Sequence, residues 1–283
     1  MNFKDFYQRF PYLDMEELIV NYSIFEGYPF LDEIELNSTV QESIQKYVIQ
    51  RYEELKEFYL YSTDFEIQKD FEKILSRLAK GDRKNYTVYK KENISQIKGR
   101  EVYKRLFSEN IIKKEYSREK PLRDGKRPIK KHLRRYQIQD KIHFCNNFTR
   151  FWFWFGRPLD INHISQHLEK FVSLEFENLS NELLEKIYKN DNILSSGGYW
   201  DKDIEIDLLI ETTSLKIAGE AKWKNRKTCK NILTSLINKC EKAGLDIDRY
   251  ALFSKSGYSK ELYSKKYANI TLYELEDFEV LLK

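Results

Sequence analysis

The segment IEIDLLIETTSLKIAGEAKW, residues 204–223, constrains the fold more than any other. Two aliphatic runs flank Thr213-Ser214, the pattern of a hairpin closed by a two-residue turn. That turn sets the register and places position 207 opposite position 220. Side chains alternate across a strand. Ile204, Ile206, Leu208 and Ile210 are therefore expected on one face, and Glu205, Asp207 and Leu209 on the other. On the returning strand Ala218, Glu220 and Lys222 join the Asp207 face. Directly opposed residues hold their Cβ atoms about 4.5–5.5 Å apart. Two carboxylates that close raise each other's pKa unless a cation lies between them. Mg²⁺ (or Mn²⁺) suits such a pair, since it takes one or two carboxylates and completes its shell with water and phosphate oxygens. Lys222, in the same row, would stabilise charge developing on phosphorus or orient an attacking water. A half-exposed hairpin with a solvated polar face produces the same alternation, although Leu209 and Ala218 are apolar on that face.

The surrounding pattern favours a covered sheet. A long helix is predicted over 164–189, with Leu168, Phe171, Val172, Leu179, Leu183 and Ile187 on one side. Strands follow at 192–199, 203–211 and 215–223, then a helix at 226–243, a strand at 248–254, a short helix at 259–267 and a strand at 270–274. Helix, three strands, helix, strand is the order of an α/β sandwich around a mixed sheet. The long helix offers a third acid, Glu175 or Glu177. The helical wheel puts Glu175 more squarely on the apolar face.

The N-terminal half reads differently. Apolar residues recur at helical spacing in MEELIVNYSIF and SIQKYVIQRYEELKEFYL, with Gly27 and Pro29 between them. Ser38 or Thr39 is expected to cap the second helix, with Glu42 at the capping-box position. Residues 65–80 form another amphipathic helix that stops at Gly81, and a short helical piece follows near 86–92. A helix over 99–114 carries Val102, Leu106 and Phe107 on one face and Arg100, Lys104 and Arg105 around the rest. Strands at 111–116 and 133–138 would complete three helices and a basic two-stranded wing, the outline of a winged helix.

Charge supports this outline. Residues 1–80 carry 9 Lys and Arg against 16 Asp and Glu, whereas residues 81–135 carry 19 against 7. A solvated lysine-rich surface would account for the basic block, and so would a DNA backbone, where each cation gains by releasing counterions. On the second reading Arg100, Lys104 and Arg105 from the helix and Lys126, Arg127, Lys130 and Lys131 from the wing bind nucleic acid. The aromatic run NNFTRFWFWFGRP, 146–158, is expected in a core rather than against bases, with a domain boundary at Pro158. His163 and His167, spaced i, i+4 near a helix start, read as surface or capping residues rather than zinc ligands, since no acid or Cys partner is evident. Cys145, Cys229 and Cys240 fit neither a disulfide framework nor a zinc site, so a reducing cytoplasm is expected. No stretch has the length or pattern of a membrane span or a secretory leader.

These residues carry a resemblance. Asp207 followed by Glu220-Ala221-Lys222 looks like the D…ExK motif of the PD-(D/E)XK nuclease fold. GGYWDKDIEIDLL and GEAKW, preceded by RYQIQD and RFWFWFGRP, are similar to the C-terminal region of a family of archaeal and bacterial AAA-type ATPases. FEGYPFLDEI and FEKILSRLAKGD resemble that family's lid end and first winged-helix helix. The resemblance implies a lid-like helical region at 1–62, a winged helix at 63–157 and a PD-(D/E)XK domain of αβββαβ order at 158–283. It also implies a metal held by Glu177, Asp207 and Glu220, with Asp207, Glu220 and Lys222 catalytic. Phe176-Glu177 matches the family's Phe-Glu pair, which favours Glu177 over Glu175. The sequence departs from the family in lacking GxxxxGK[ST], the phosphate-holding P-loop, so no ATP hydrolysis is expected. The resulting expectation is a metal-dependent DNA nuclease. The alternative is a non-catalytic DNA-binding or partner-docking module serving a separate ATPase. Expected partners are DNA, such an ATPase and further copies of the chain, with no membrane.

Overall fold

Capping side chains fix where the N-terminal helices begin. In this computed structural model, which describes residues 1–81, 88, 91–118, 138–156, 159–263 and 269–283, Asn2 caps α1 (Phe3–Arg9) by accepting from the Asp5 N–H. Asp14 and Glu17 form a capping box on α2 (Met15–Phe25), and Thr39 and Glu42 form the expected one on α3 (Val40–Ile44). The chain from 43 to 60 is not one continuous helix. A π turn at Gln45–Ile49 separates α3 from α4 (Tyr52–Phe58). The wider turn aims Tyr47 inward, where its hydroxyl donates to the Glu35 carbonyl and accepts from the Glu35 N–H.

Asp64 caps α5 (Phe65–Ala79), and α6 spans Gln96–Ser108. The α6 helix ends six residues earlier than its periodicity suggests. Asn110 takes a left-handed φ of 54°, and Ile112–Glu115 continues as strand β1. The partner of β1 is β2, Lys141–Phe144, which pairs antiparallel with Ile112 opposite Phe144. The wing strand expected at 133–138 lies outside the described residues except Ile138, which is not in a strand. The helical piece near 86–92 is likewise largely outside them.

The aromatic run forms α7 (Asn147–Phe155), and Phe148 through Phe155 are all buried. Tyr52 and Tyr59 stack on Trp152 with centroids 5.4 and 5.1 Å away, and Tyr28 meets Phe148 edge-on. The run is core, as expected from the large area such rings remove from water.

Residues 1–115 with 140–172 make one compact unit, and residues 116–139 with 173–283 make a second. Helix α8 (Ile161–Ile187) begins in the first and ends in the second. The second unit is built on a five-stranded mixed sheet of order β3-β6-β7-β8-β9. Strands β3 (Ile193–Ser195), β6 (Leu208–Thr212) and β7 (Lys216–Lys222) run antiparallel. Helix α9 (Lys230–Ala243) then crosses over to β8 (Arg249–Ser254), which is parallel to β7 and to β9 (Ile270–Tyr273). Strands β4 (Tyr199–Trp200) and β5 (Glu205–Ile206) form a separate ribbon.

Both faces of this sheet are covered. Leu233, Leu236 and Cys240 of α9 pack on Leu209, Ala218 and Leu252. On the other face Phe176 of α8 meets Trp223 and Phe278, each at 5.1 Å. Burying such side chains stabilises the fold by about 1.5–3 kcal/mol each. A solvated polar face on the hairpin is thereby excluded. Gly219 lets β7 fit between its neighbours, since a Cβ there would come within 3.3 Å of the Ala251 carbonyl oxygen. Among the described residues, no helix is long and apolar enough to cross a membrane.

Candidate active site

The hairpin has the register its turn dictates. Leu208 pairs with Gly219 and Glu211 with Lys216, and Thr213-Ser214 close the turn beneath the Thr212 N–H to Leu215 carbonyl bond. Extending the ladder by one places Asp207 opposite Glu220. Asp207 itself lies at a bend between β5 and β6. The bend breaks the alternation expected on its N-terminal side. Ile204 and Ile206 do not share a face with Leu208 and Ile210; they pack in the α9 cluster with Leu209. Strict period-two alternation holds only while the strand stays straight.

The bend turns the Asp207 carboxylate toward β7, where Oδ2 accepts the Ala221 N–H at 3.2 Å. Lys222 folds back along its own strand. Its Nζ donates to Glu220 Oε1 at 2.8 Å and to the Ala221 carbonyl at 3.0 Å, and lies 3.5 Å from Asp207 Oδ2. Three oxygens, from the Asp207–Glu220 rung and the adjacent Ala221, thus converge on one cationic nitrogen.

A second cation arrives from outside the hairpin. Lys239 of α9 donates to Glu220 Oε2 at 2.9 Å and reaches Oε1 at 3.3 Å. Glu220 is buried, and two ammonium groups occupy its oxygens. The site therefore holds two acids and two bases in a shared, largely dry space. Sequence reasoning assigned Lys239 no role. Its available signal was helical spacing: with Leu236 and Cys240 directed at the sheet, position 239 flanks that buried face.

The electrostatics follow from this crowding. Burial pushes the Asp207 carboxyl above its usual range, and the neighbouring Glu220 charge pushes it further; Lys222, Lys239 and the Ala221 N–H only partly oppose them. For Lys222 burial acts downward, but Asp207 and Glu220 outweigh it and raise the ammonium's pKa. The Glu177 carboxylate adds to that upward pull. Of the two helix acids, Glu177 thus acts on the Lys222 side of the site, whereas Glu175 is buried and accepts from Asn178 at 2.9 Å. Among the described residues, no group of three or more His, Cys, Asp or Glu side chains is arranged to hold a metal.

In the first unit, Arg100 and Lys104 are exposed on α6. Arg105 is engaged locally, paired with Glu109 at 2.6 Å and lying over the Phe71 ring. Lys126, Arg127, Lys130 and Lys131 lie outside the described residues. His163 and His167 are exposed, with their rings edge to face at 4.6 Å.

The chain thus combines a helical N-terminal region with a mixed C-terminal sheet bearing a buried acid–base cluster at one hairpin. A family described as archaeal and bacterial proteins of unknown function, DUF234, matches residues 155–232. Glu177, Asp207, Glu220 and Lys222 fall inside that stretch and Lys239 beyond it. No curated protein and no solved structure matches the chain.

Proposed function

We propose that the second unit is a PD-(D/E)XK-type domain that hydrolyses DNA phosphodiesters with a divalent metal. The observation that carries this reading is the convergence of Asp207 Oδ2, Glu220 Oε1 and the Ala221 carbonyl on a single cation, the Lys222 ammonium. The order of α8, three antiparallel strands, α9 and a parallel strand agrees with that fold class.

The residues fit Mg²⁺ or Mn²⁺. An oxygen-only set with two carboxylates is the chemistry these ions select. A buried acid whose pKa is raised by burial and a like charge gains most from an added cation. Asp207 and Glu220 would hold the ion, with Glu177 contributing negative potential from α8. A bound ion would supply Lewis-acid charge at the scissile phosphate. Lys222 then has a definite role. With a metal on the acids it would act by charge, stabilising the phosphate oxygens or orienting the attacking water. The exposed Arg100 and Lys104 of α6 would bring the first unit to the DNA backbone in winged-helix fashion.

One observation favours the second reading, a non-catalytic DNA-binding or docking module that works with a separate ATPase. Lys222 and Lys239 already neutralise both acids, leaving a charge-balanced cluster. A plasmid-cleavage assay with Mg²⁺ and Mn²⁺ separates the readings. Wild type is expected to cut, and Asp207→Ala and Lys222→Ala to lose activity by about 10²-fold or more. Equal activity in all three, or none in wild type on any DNA form, refutes the nuclease.

A further inference from the structure

Beside the acid–base cluster, a groove of about 410 Å³ runs along α9. Asn231, Thr234, Ser235, Asn238, Lys239 and Lys242 line one wall. These positions recur at three- and four-residue intervals and so occupy one helical face. The face spans about 17 Å at ~1.5 Å per residue. It consists wholly of amides, hydroxyls and ammonium groups. At its N-terminal end the segment that leaves Lys222 and enters α9 carries exposed Lys224, Arg226, Lys227 and Lys230. At the other end Lys239 belongs to both places: it lines the groove, and its ammonium holds Glu220.

We infer that this groove takes the phosphodiester backbone of a single nucleic-acid strand, and that Lys239 links it to the acid pair by exchanging Glu220 for a phosphate. The chemical class of the occupant rests on the phosphodiesterase reading. The recognition chemistry is local: hydroxyls and amides donate to phosphate and sugar oxygens, and Lys239 and Lys242 supply charge. Lys239 is a positioning residue here. While it grips both Glu220 oxygens it competes with a metal for the same acid. A phosphate in the groove gives its ammonium another anion and leaves Glu220 available. Strand and metal binding are then mutually favourable, as linkage requires. Asp203 and Glu205, on the groove's opposite wall beside Ile204, oppose an anionic ligand, so the charge that favours phosphate comes from Lys239, Lys242 and the basic segment at the groove's N-terminal end.

The test uses the full chain and a fluorescent DNA strand of about 12 nucleotides, within the usual site size, in EDTA. Wild type is expected to bind. The slope of log K against log salt is expected to fall by about 1.4 in Lys239→Met/Lys242→Met, two phosphates at ~0.7 each. Asp203→Asn is expected to bind more tightly. Circular dichroism melts check folding, and if the double variant melts early, Lys242→Met alone carries the test with a fall of about 0.7. No binding by wild type, or an unchanged slope and affinity in every variant, overturns the groove. Mn²⁺ titration read by electron paramagnetic resonance tests the link. Lys239→Met is expected to bind Mn²⁺ more tightly than wild type, and the strand to raise affinity only in wild type. No Mn²⁺ binding, or equal affinities without a strand effect, overturns the role of Lys239. A chain that binds the strand through the groove yet cuts nothing refutes the nuclease alone. One that cuts, with strand affinity indifferent to the groove variants, refutes the groove alone.

Discussion

Replacing Asp207 with Asn should make the protein more stable above acidic pH. The side chain is 14 % exposed. Its attraction to Lys222 at 3.5 Å is about 5 kcal/mol at an effective dielectric of ~20, and repulsion from Glu220 across ~5 Å returns about 3 kcal/mol. Attraction exceeds repulsion by about 2 kcal/mol, but burial, the largest influence, with the Glu220 charge outweighs Lys222 and Lys239 and leaves the carboxyl with a raised pKa. The sign follows from linkage. Below the unfolded-state pKa, about 3.9, Asp207 is protonated in both states and its ionisation costs nothing. Above it the unfolded chain releases the proton while the folded chain keeps it, so folding loses about 1.4 kcal/mol per pH unit. The loss stops growing once pH passes the folded pKa. Asn cannot ionise, and its carbonyl can still accept the Ala221 N–H. Urea denaturation of both proteins from pH 4 to pH 8 should therefore show a difference that starts near zero, climbs at that slope and levels off in favour of Asp207→Asn. The plateau onset measures the folded pKa. A difference flat with pH, or Asp207→Asn less stable at pH 8, refutes the reasoning. Loss of function with gained stability is the trade expected of a residue kept for chemistry.

Other perturbations test separate parts of the description. Gly219→Ala places a Cβ 3.2 Å from Leu208 Cβ and 3.3 Å from the Ala251 oxygen, and should cost about 1–3 kcal/mol in a chemical melt. Cys145 and Cys229 are exposed, whereas Cys240 is buried and its thiol is pushed up to about 12, chiefly by burial. A thiol reagent at pH 8 should therefore label two cysteines in the native protein and the third only after denaturation. Cys229 should react before Cys145, whose thiol burial also raises. If α6 meets a DNA backbone, Arg100→Ala/Lys104→Ala should lower the duplex salt slope by about 1.8, at ~0.9 per phosphate. An unchanged slope would assign α6 to another task.

Much of the site was legible in the chain because its signals are local. A two-residue turn fixes pairing over its whole hairpin, so the Thr213-Ser214 turn was enough to set Asp207 opposite Glu220 with Lys222 in the same row. The Thr39–Glu42 cap and the start of α5 are likewise decided within a few residues. The aromatic run could be assigned to a core because five adjacent aromatic residues, 151–155, leave little else they can do. Local pattern failed wherever a distant element entered. The bend at Asp207 is invisible to alternation, since alternation assumes a straight strand, and it moved Ile206 to the α9 side. The chain pairs β1 with Lys141–Phe144, a long-range choice that alternation within either segment does not reveal. The wheel put Glu175 on the apolar face, and Glu175 is buried there; rotation alone could not show that the Glu177 charge reaches Lys222. Lys239 shows the division most plainly. In sequence it is one lysine among 49 Lys and Arg residues. Only the crossover of α9 against β7 brings its ammonium to Glu220, a charge nineteen residues away that the low-dielectric interior makes worth holding.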